Sequence, residues 1–337
     1  MSADVRLHDR PPHDTSSITR RPPLRWPDAA RVAVGVVVSV EYYEMQPAAD
    51  HFIPANVPGG FGRAPYPDFR AFSQRDYGNR VGVFRVLEAL QRFAVPATAA
   101  IDASAATRYP YMLAQLQRYG IEIAGHGHAV THVISSHMTE ADERAYIASA
   151  LDKLERVAGV RPVGWHGPEY GQSERTPTLL AELGIEYALD WPNDEQPFLM
   201  NTRPKPLVSL AMALELDDVV TMWHRRVSAD RWRQAIGDAL DQLLADGAKT
   251  GRHLILNLHP WLIGHPHRIG TFEDVLADIR RRDGIWIANA SQIAAHARTQ
   301  LARDAIRTSA GGERPRWQRS PSQYRGVSGH VLAARIA

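Results

Sequence analysis

The segment EIAGHGHAVTH, residues 122–132, carries three imidazoles within seven positions, directly after an apolar run. His126 and His128 are two apart, which puts them on the same side if the strand continues. His128 and His132 are four apart, the offset at which one helical turn presents two ligands. Either pair is a candidate for holding Zn²⁺ or another divalent ion. A second group, LILNLHPWLIGHPHRIG (254–270), sets His259 at the end of a continuous apolar strand. An imidazole there could protonate a leaving nitrogen or orient a water. Glu41 ends the apolar run VAVGVVVSV, where burying a carboxylate without a partner is costly. It therefore reads as a general base, its pKa raised by the apolar setting, or as a further metal ligand. In RDYGNRVG, Arg80 is a candidate for fixing a carboxylate by a bidentate contact, and Asp76 reads as a helix cap.

These residues share a position in the local pattern. The expected strand 31–40 ends in Glu41, 96–101 in Asp102, and 121–125 in His126 and His128. Strand 162–165 is followed by His166 and Glu169, 185–189 by Asp190, Trp191, Asn193 and Asp194, and 254–258 by His259. Further strands are expected at 207–214, 219–222 and 285–288. Helical spacing of apolar residues predicts helices over 79–93, 110–119, 139–158, 176–183, 228–246, 271–282 and 291–301. Strands that alternate with helices pair in parallel, and their C-terminal ends then converge on one face. Side chains far apart in sequence meet there, so the chain reads as an α/β enzyme. Trp165, Trp191 and Trp261 would wall such a site, with His166, Glu169 and Asp194 as further substrate-binding residues.

At 337 residues the chain is long enough for a single α/β catalytic unit. Residues 1–23, rich in Arg, Pro, Asp and His, read as an N-terminal arm, 24–302 as the catalytic unit and 303–337 as a flexible tail. The irregular stretch from Tyr42 to about Gln74 reads as a substrate-covering loop. A net charge of +2, with the basic residues gathered toward the ends, gives no nucleic-acid surface. There is no cysteine, which excludes disulfides and thiolate ligands, so any metal must be held by His, Asp or Glu. No apolar run is long enough for a signal core or a membrane span, so a cytoplasmic protein without a membrane partner is expected.

The segments RPPLRWPDAARVAVGVVVSVEYYE, RDYGNRVGVFRVLEAL, GIEIAGHG, GVRPVGWHGPEYG, LGIEYALDWPNDEQPF and LILNLHPW occur in this order and anchor a resemblance that covers about residues 22–300. The series resembles the polysaccharide deacetylase family, and in particular its allantoinase-like cytoplasmic branch. The resemblance implies a distorted (β/α) barrel with about seven parallel strands, hydrolysis of a non-peptide carbon–nitrogen bond, and a homo-oligomer. It also implies a metal set of one Asp and two His four residues apart, an Asp base, and His259 as the acid that assists departure of the amine. In this chain the acidic pair reads Val40-Glu41, and Val130 stands four residues after His126. The family's Arg-Pro-Pro-Tyr-Gly becomes His166-Gly167-Pro168-Glu169-Tyr170-Gly171. Two versions of the chemistry therefore stay open. Glu41 and the histidines hold a metal that activates water, or Glu41 activates water without one while the histidines stabilise the oxyanion. The expected substrate is a small linear or cyclic amide; an acetylated sugar, or a silent barrel that binds a small ligand, are the alternatives.

Overall fold

The computed structural model describes residues 11–49, 51–53 and 65–310. Parts of three expected features lie outside them: the start of the arm, residues 50 and 54–64 of the covering loop, and the tail from 311. The strands are β1 (Val32–Val40), β2 (Thr98–Ile101), β3 (Glu122–Gly125), β4 (Gly164–Trp165), β5 (Tyr187–Ala188), β6 (Phe198–Met200), β7 (Leu207–Ser209), β8 (Arg252–Leu258) and β9 (Ile285–Ile287). They form one sheet in the order β6-β7-β5-β4-β3-β2-β1-β8, with β9 beside the first half of β1. All pairings are parallel except β6 with β7. A parallel bridge from Met212 to Ile255 ties the segment after β7 to β8, so the two ends of the curled sheet approach one another. This is the distorted (β/α) barrel, with eight parallel strands where about seven were expected.

All nine residues of β1 are buried, and their parity divides the core. Val32, Val34, Val36, Val38 and Val40 pack outward with the helices, whereas Ala33 and Val37 join Ala100, Tyr187, Val208 and Ile255 inside the barrel. A strand covered on both faces needs apolar residues at both parities, which explains the unbroken run. The inward parity on β1 continues through Ser39 to Glu41, and on β8 from Ile255 through Asn257 to His259. Ser39 donates to Asn257 Oδ1 at 2.8 Å, so this polar layer lies directly beneath the two candidate catalytic residues.

The helices are α1 (Phe69–Tyr77), α2 (Val83–Arg92), α3 (Ala103–Arg108), α4 (Pro110–Arg118), α5 (Glu140–Ala158), α6 (Thr176–Glu182), α7 (Ala229–Asp246), α8 (Pro260–Ile263), α9 (Ile269–Arg281) and α10 (Ala290–Ala310). The expected helix at 79–93 starts ten residues earlier. Asp68 caps α1 by accepting from Ala71 N–H at 3.0 Å, and a π turn over Gly78–Gly82 joins α1 to α2. The strand expected at 219–222 is also a helical turn of π type, Val219–His224. Its start is set by Asp217, whose Oδ1 accepts from Val219 N–H at 2.8 Å and Val220 N–H at 3.0 Å. No helix among the described residues is long and apolar enough to cross a membrane.

Candidate active site

Glu41, one residue beyond β1, is 7% exposed and lies between two imidazoles. Its Oε1 is 3.5 Å from His126 Nε2 and 3.7 Å from His259 Nε2. Its Oε2 has no hydrogen-bond partner, nor does His126 Nε2. Asn79 on the π turn donates to the Glu41 backbone carbonyl at 2.8 Å and so fixes the end of the strand. Asp102 braces the same end: its Oδ2 accepts from Tyr42 N–H at 2.5 Å while its Oδ1 caps α3 through Ala105 N–H at 2.7 Å.

Each imidazole is oriented from behind. His126 Nδ1 donates to the His166 carbonyl at 2.6 Å, and a carbonyl can only accept, so the Nδ1–H is required and Nε2 faces Glu41. The two rings stack with centroids 4.7 Å apart. His166 Nδ1 meets Asp190 Oδ1 at 2.9 Å, and that carboxylate also accepts from Gly167 N–H and Gln172 Nε2. His259 Nδ1 lies 2.7 Å from Asp218 Oδ1, and its backbone N–H donates to Asp218 Oδ2 at 3.0 Å. Asp217, beside it, accepts from Asn257 Nδ2 at 2.8 Å and Tyr170 OH at 3.2 Å.

The charges follow from this packing. Burial opposes ionisation of Glu41, but His259, His126 and Arg75 outweigh it and hold the carboxyl down at about 2. The pKa rise expected from the apolar setting is therefore reversed by its cationic neighbours. Burial also opposes charge on His259 and His126. Asp218 and Glu41 overcome it at the first and Glu41 at the second, so both imidazoles are raised. His166 is lowered, by burial first and then by its positive neighbours against the pull of Asp190. Glu169 is raised to about 7 by surrounding protein and then by the charge of Glu41, against His259 and Arg75. It reaches solvent, which moderates that rise.

Several expected site residues lie elsewhere. His128 does not share a side with His126, because β3 ends at Gly125 and Gly127 turns the chain at φ +70°. His128 Nε2 bonds Ser149 Oγ at 2.8 Å, and His132 Nε2 lies 3.1 Å from Glu44 Oε2. The stretch between them is not helical, so the four-residue spacing brings no two ligands together. Arg80 projects to solvent with a side chain 72% exposed, 3.8 Å from Asp76. The arginine that faces the site is Arg75, one turn earlier. Trp165 is fully buried among Leu151, Leu179 and Leu180, at the outward parity of β4, and does not line the cleft. Trp191 donates to Gln172 Oε1 at 2.9 Å and packs edge-on against His13 of the arm. Asp194 pairs with Arg21 at 2.6 Å and holds the arm down. Trp261 lies under the Arg75 guanidinium.

The donor set does not fit a closed metal site. Among the described residues, the one group of three or more acidic or imidazole side chains with ligand atoms within 4.8 Å of one another is Asp217, Asp218 and His259. Its atoms are engaged: Asp218 uses both oxygens on His259, and Asp217 takes two backbone amides, Asn257 and Tyr170. Glu41, His126 and His259 do not gather that closely, and the position four beyond His126 is the buried, apolar Val130.

Residues 72–188 match the family model described as Polysaccharide deacetylase. Over that stretch the chain is similar to polysaccharide deacetylases. The matched stretch contains His126 and His166, whereas Glu41 and His259 lie outside it. A structure from Mycobacterium smegmatis, provisionally named a polysaccharide deacetylase, is 29% identical with a TM-score of 0.71, covering 82% of this chain and 94% of its own. The PuuE allantoinase structure is 25% identical with a TM-score of 0.75, covering 83% and 95%. A Schizosaccharomyces pombe protein, also provisionally named a polysaccharide deacetylase, is 22% identical over 299 residues, 80% of this chain and 91% of its own.

Proposed function

We propose that this protein hydrolyses the carbon–nitrogen bond of a small linear or cyclic amide by acid–base catalysis, with Glu41 as base and His259 as acid. The observation that carries the reading is the buried Glu41 carboxyl facing two imidazole Nε2 edges, one of them clamped by Asp218. The similarity of residues 72–188 to polysaccharide deacetylases supports the hydrolase class, and the likeness to an allantoinase adds a small substrate to those worth assaying.

In this reading a water beside Glu41 attacks the amide carbonyl and gives its proton to the carboxylate. The resulting oxyanion is stabilised by the protonated His126 edge. His259 delivers its Nε2 proton to the leaving nitrogen as the carbon–nitrogen bond breaks, yielding a carboxylic acid and an amine. The two roles are coupled. A carboxylate held at about 2 is a weak base while His259 keeps its proton, so deprotonation of the water is completed in concert with movement of the His259 proton toward the leaving nitrogen, which removes the charge that depressed Glu41. His166 stays neutral and supports His126 through its carbonyl. No step uses a metal, in keeping with the engaged donors and with Val130.

The test is turnover of allantoin, succinamide and N-acetylglucosamine oligomers by chelator-treated wild type, Glu41→Gln and His259→Ala. Turnover of a small amide that is lost in both variants is expected. Turnover of acetylated sugars alone would favour the N-deacetylase alternative, and turnover that returns only with added metal would restore the metal version. Inactivity on every substrate would leave a ligand-binding barrel.

A further inference from the structure

Arg75 lies in the last turn of α1 with its guanidinium boxed by aromatic rings. Its Cζ is 3.3 Å from the centroid of Trp261, 4.7 Å from Tyr43 and 5.6 Å from Trp223. Tyr43 is two residues after Glu41 and Trp261 two after His259, so the box is built on the same two strand ends that carry the proposed base and acid. The cation acts on the site from there: it helps to lower Glu41 and opposes the rise of Glu169.

What the box lacks is an anion. Arg75 Nη1 is buried without a hydrogen-bond partner, and no carboxylate of the described residues lies within 4.0 Å of the guanidinium. Elsewhere in the chain Arg21, Arg175 and Arg282 are paired with Asp or Glu. Stacking on an indole covers one face of a guanidinium and leaves its N–H edge open, and that planar fork matches a carboxylate. A buried charged donor without a partner is unfavourable, and the cost is removed when a ligand supplies the acceptor. A neutral carbonyl would satisfy one N–H but leave the charge uncompensated.

We propose that Arg75 is a recognition site for a carboxylate on the substrate, so that the preferred substrates are amides or ureides bearing an acid group. The inference rests on the amide-hydrolase reading for the word substrate, but the carboxylate site itself does not. It makes Arg75 a specificity residue and Trp261 its platform.

The experiment measures binding of succinamate and N-carbamoylglycine, each beside its uncharged amide counterpart, to wild type, Arg75→Lys and Arg75→Met by calorimetry, with turnover followed separately. Wild type should bind the acids at least tenfold more tightly than the neutral compounds. Arg75→Met should weaken acid binding by about 10- to 100-fold, the effect of one charged hydrogen-bonded contact, and leave the neutral compounds within twofold. Arg75→Lys, which keeps the charge and the packing stem but loses the fork, should fall between them. Equal wild-type affinity for acids and neutral compounds, no binding of either acid, or equal weakening of both by Arg75→Met would overturn the proposal. Arg75-dependent acid binding with no turnover of any compound would instead sink the hydrolase reading and leave the carboxylate site standing.

Discussion

Asp218 grips His259 at two points, with Oδ1 2.7 Å from the ring Nδ1 and Oδ2 accepting the His259 backbone N–H at 3.0 Å. One carboxylate therefore fixes the tautomer, the ring plane and the start of the loop after β8. It also biases the imidazole toward its protonated form. Replacing Asp218 by Asn should lower the His259 titration midpoint, visible in an imidazole NMR titration. The same change should reduce amide turnover by about 10²- to 10⁴-fold, the range expected for lost acid–base function. An unchanged midpoint would remove Asp218 from the mechanism.

Glu41 gives a stability signature with a defined sign. Its folded pKa, about 2, lies below the ordinary 4.5, so its contribution is present above 4.5 and is lost as the pH falls toward 2. The raised His259 behaves in the opposite sense: its contribution is full below 6.5 and is lost as the pH rises through the folded value. Urea unfolding of Glu41→Gln between pH 2.5 and 5 should show a shallower loss of stability than wild type. A slope equal to wild type would mean that Glu41 is not ionised among the imidazoles.

Burial and the charge of Glu41 push Glu169 up, to at most about 7 given its exposure to solvent, so rising pH adds a negative charge beside Glu41. Binding of an acidic ligand should weaken as the pH passes through that value, and Glu169→Gln should flatten the profile. A wild-type profile that is already flat, or that rises, would contradict this.

Gly82 sets the approach of the π turn to the His259 loop. A Cβ there would lie 2.1 Å from the Pro260 carbonyl oxygen, a contact with backbone that cannot swing aside. Gly82→Ala should therefore cost about 1–3 kcal/mol by overpacking, read from chemical unfolding, and reduce turnover by displacing the loop. Wild-type stability in this variant would show that the two segments can separate freely.

Metal removal supplies the last prediction. With Asp217 and Asp218 engaged and Val130 apolar, chelator dialysis should leave turnover within twofold, and elemental analysis should find zinc far below one per chain. Stoichiometric zinc whose removal abolishes turnover would return the chemistry to the metal version.

The pattern of types along the chain determined the strand ends. An unbroken apolar strand followed by Glu41, and another by His259, can belong only to a sheet buried on both faces, and period two carries Ser39–Glu41 and Asn257–His259 to the same inner layer. His126 follows by the same parity. What failed in the sequence was phase beyond the regular elements. A positive φ at Gly127 sends His128 away, and a helix that begins at Phe69 turns Arg75 toward the cleft and Arg80 to solvent. Asp217 and Asp218 lay before an apolar stretch that read as strand; the acidic pair could have been noticed, but its contact with His259, some 41 residues on, is a product of sheet closure. Local patterning fixes which residues a strand end must carry, because burial permits so few polar ones. Only the closed sheet decides which of them meet, because turns and helix starts rotate side chains by amounts that short-range spacing does not encode.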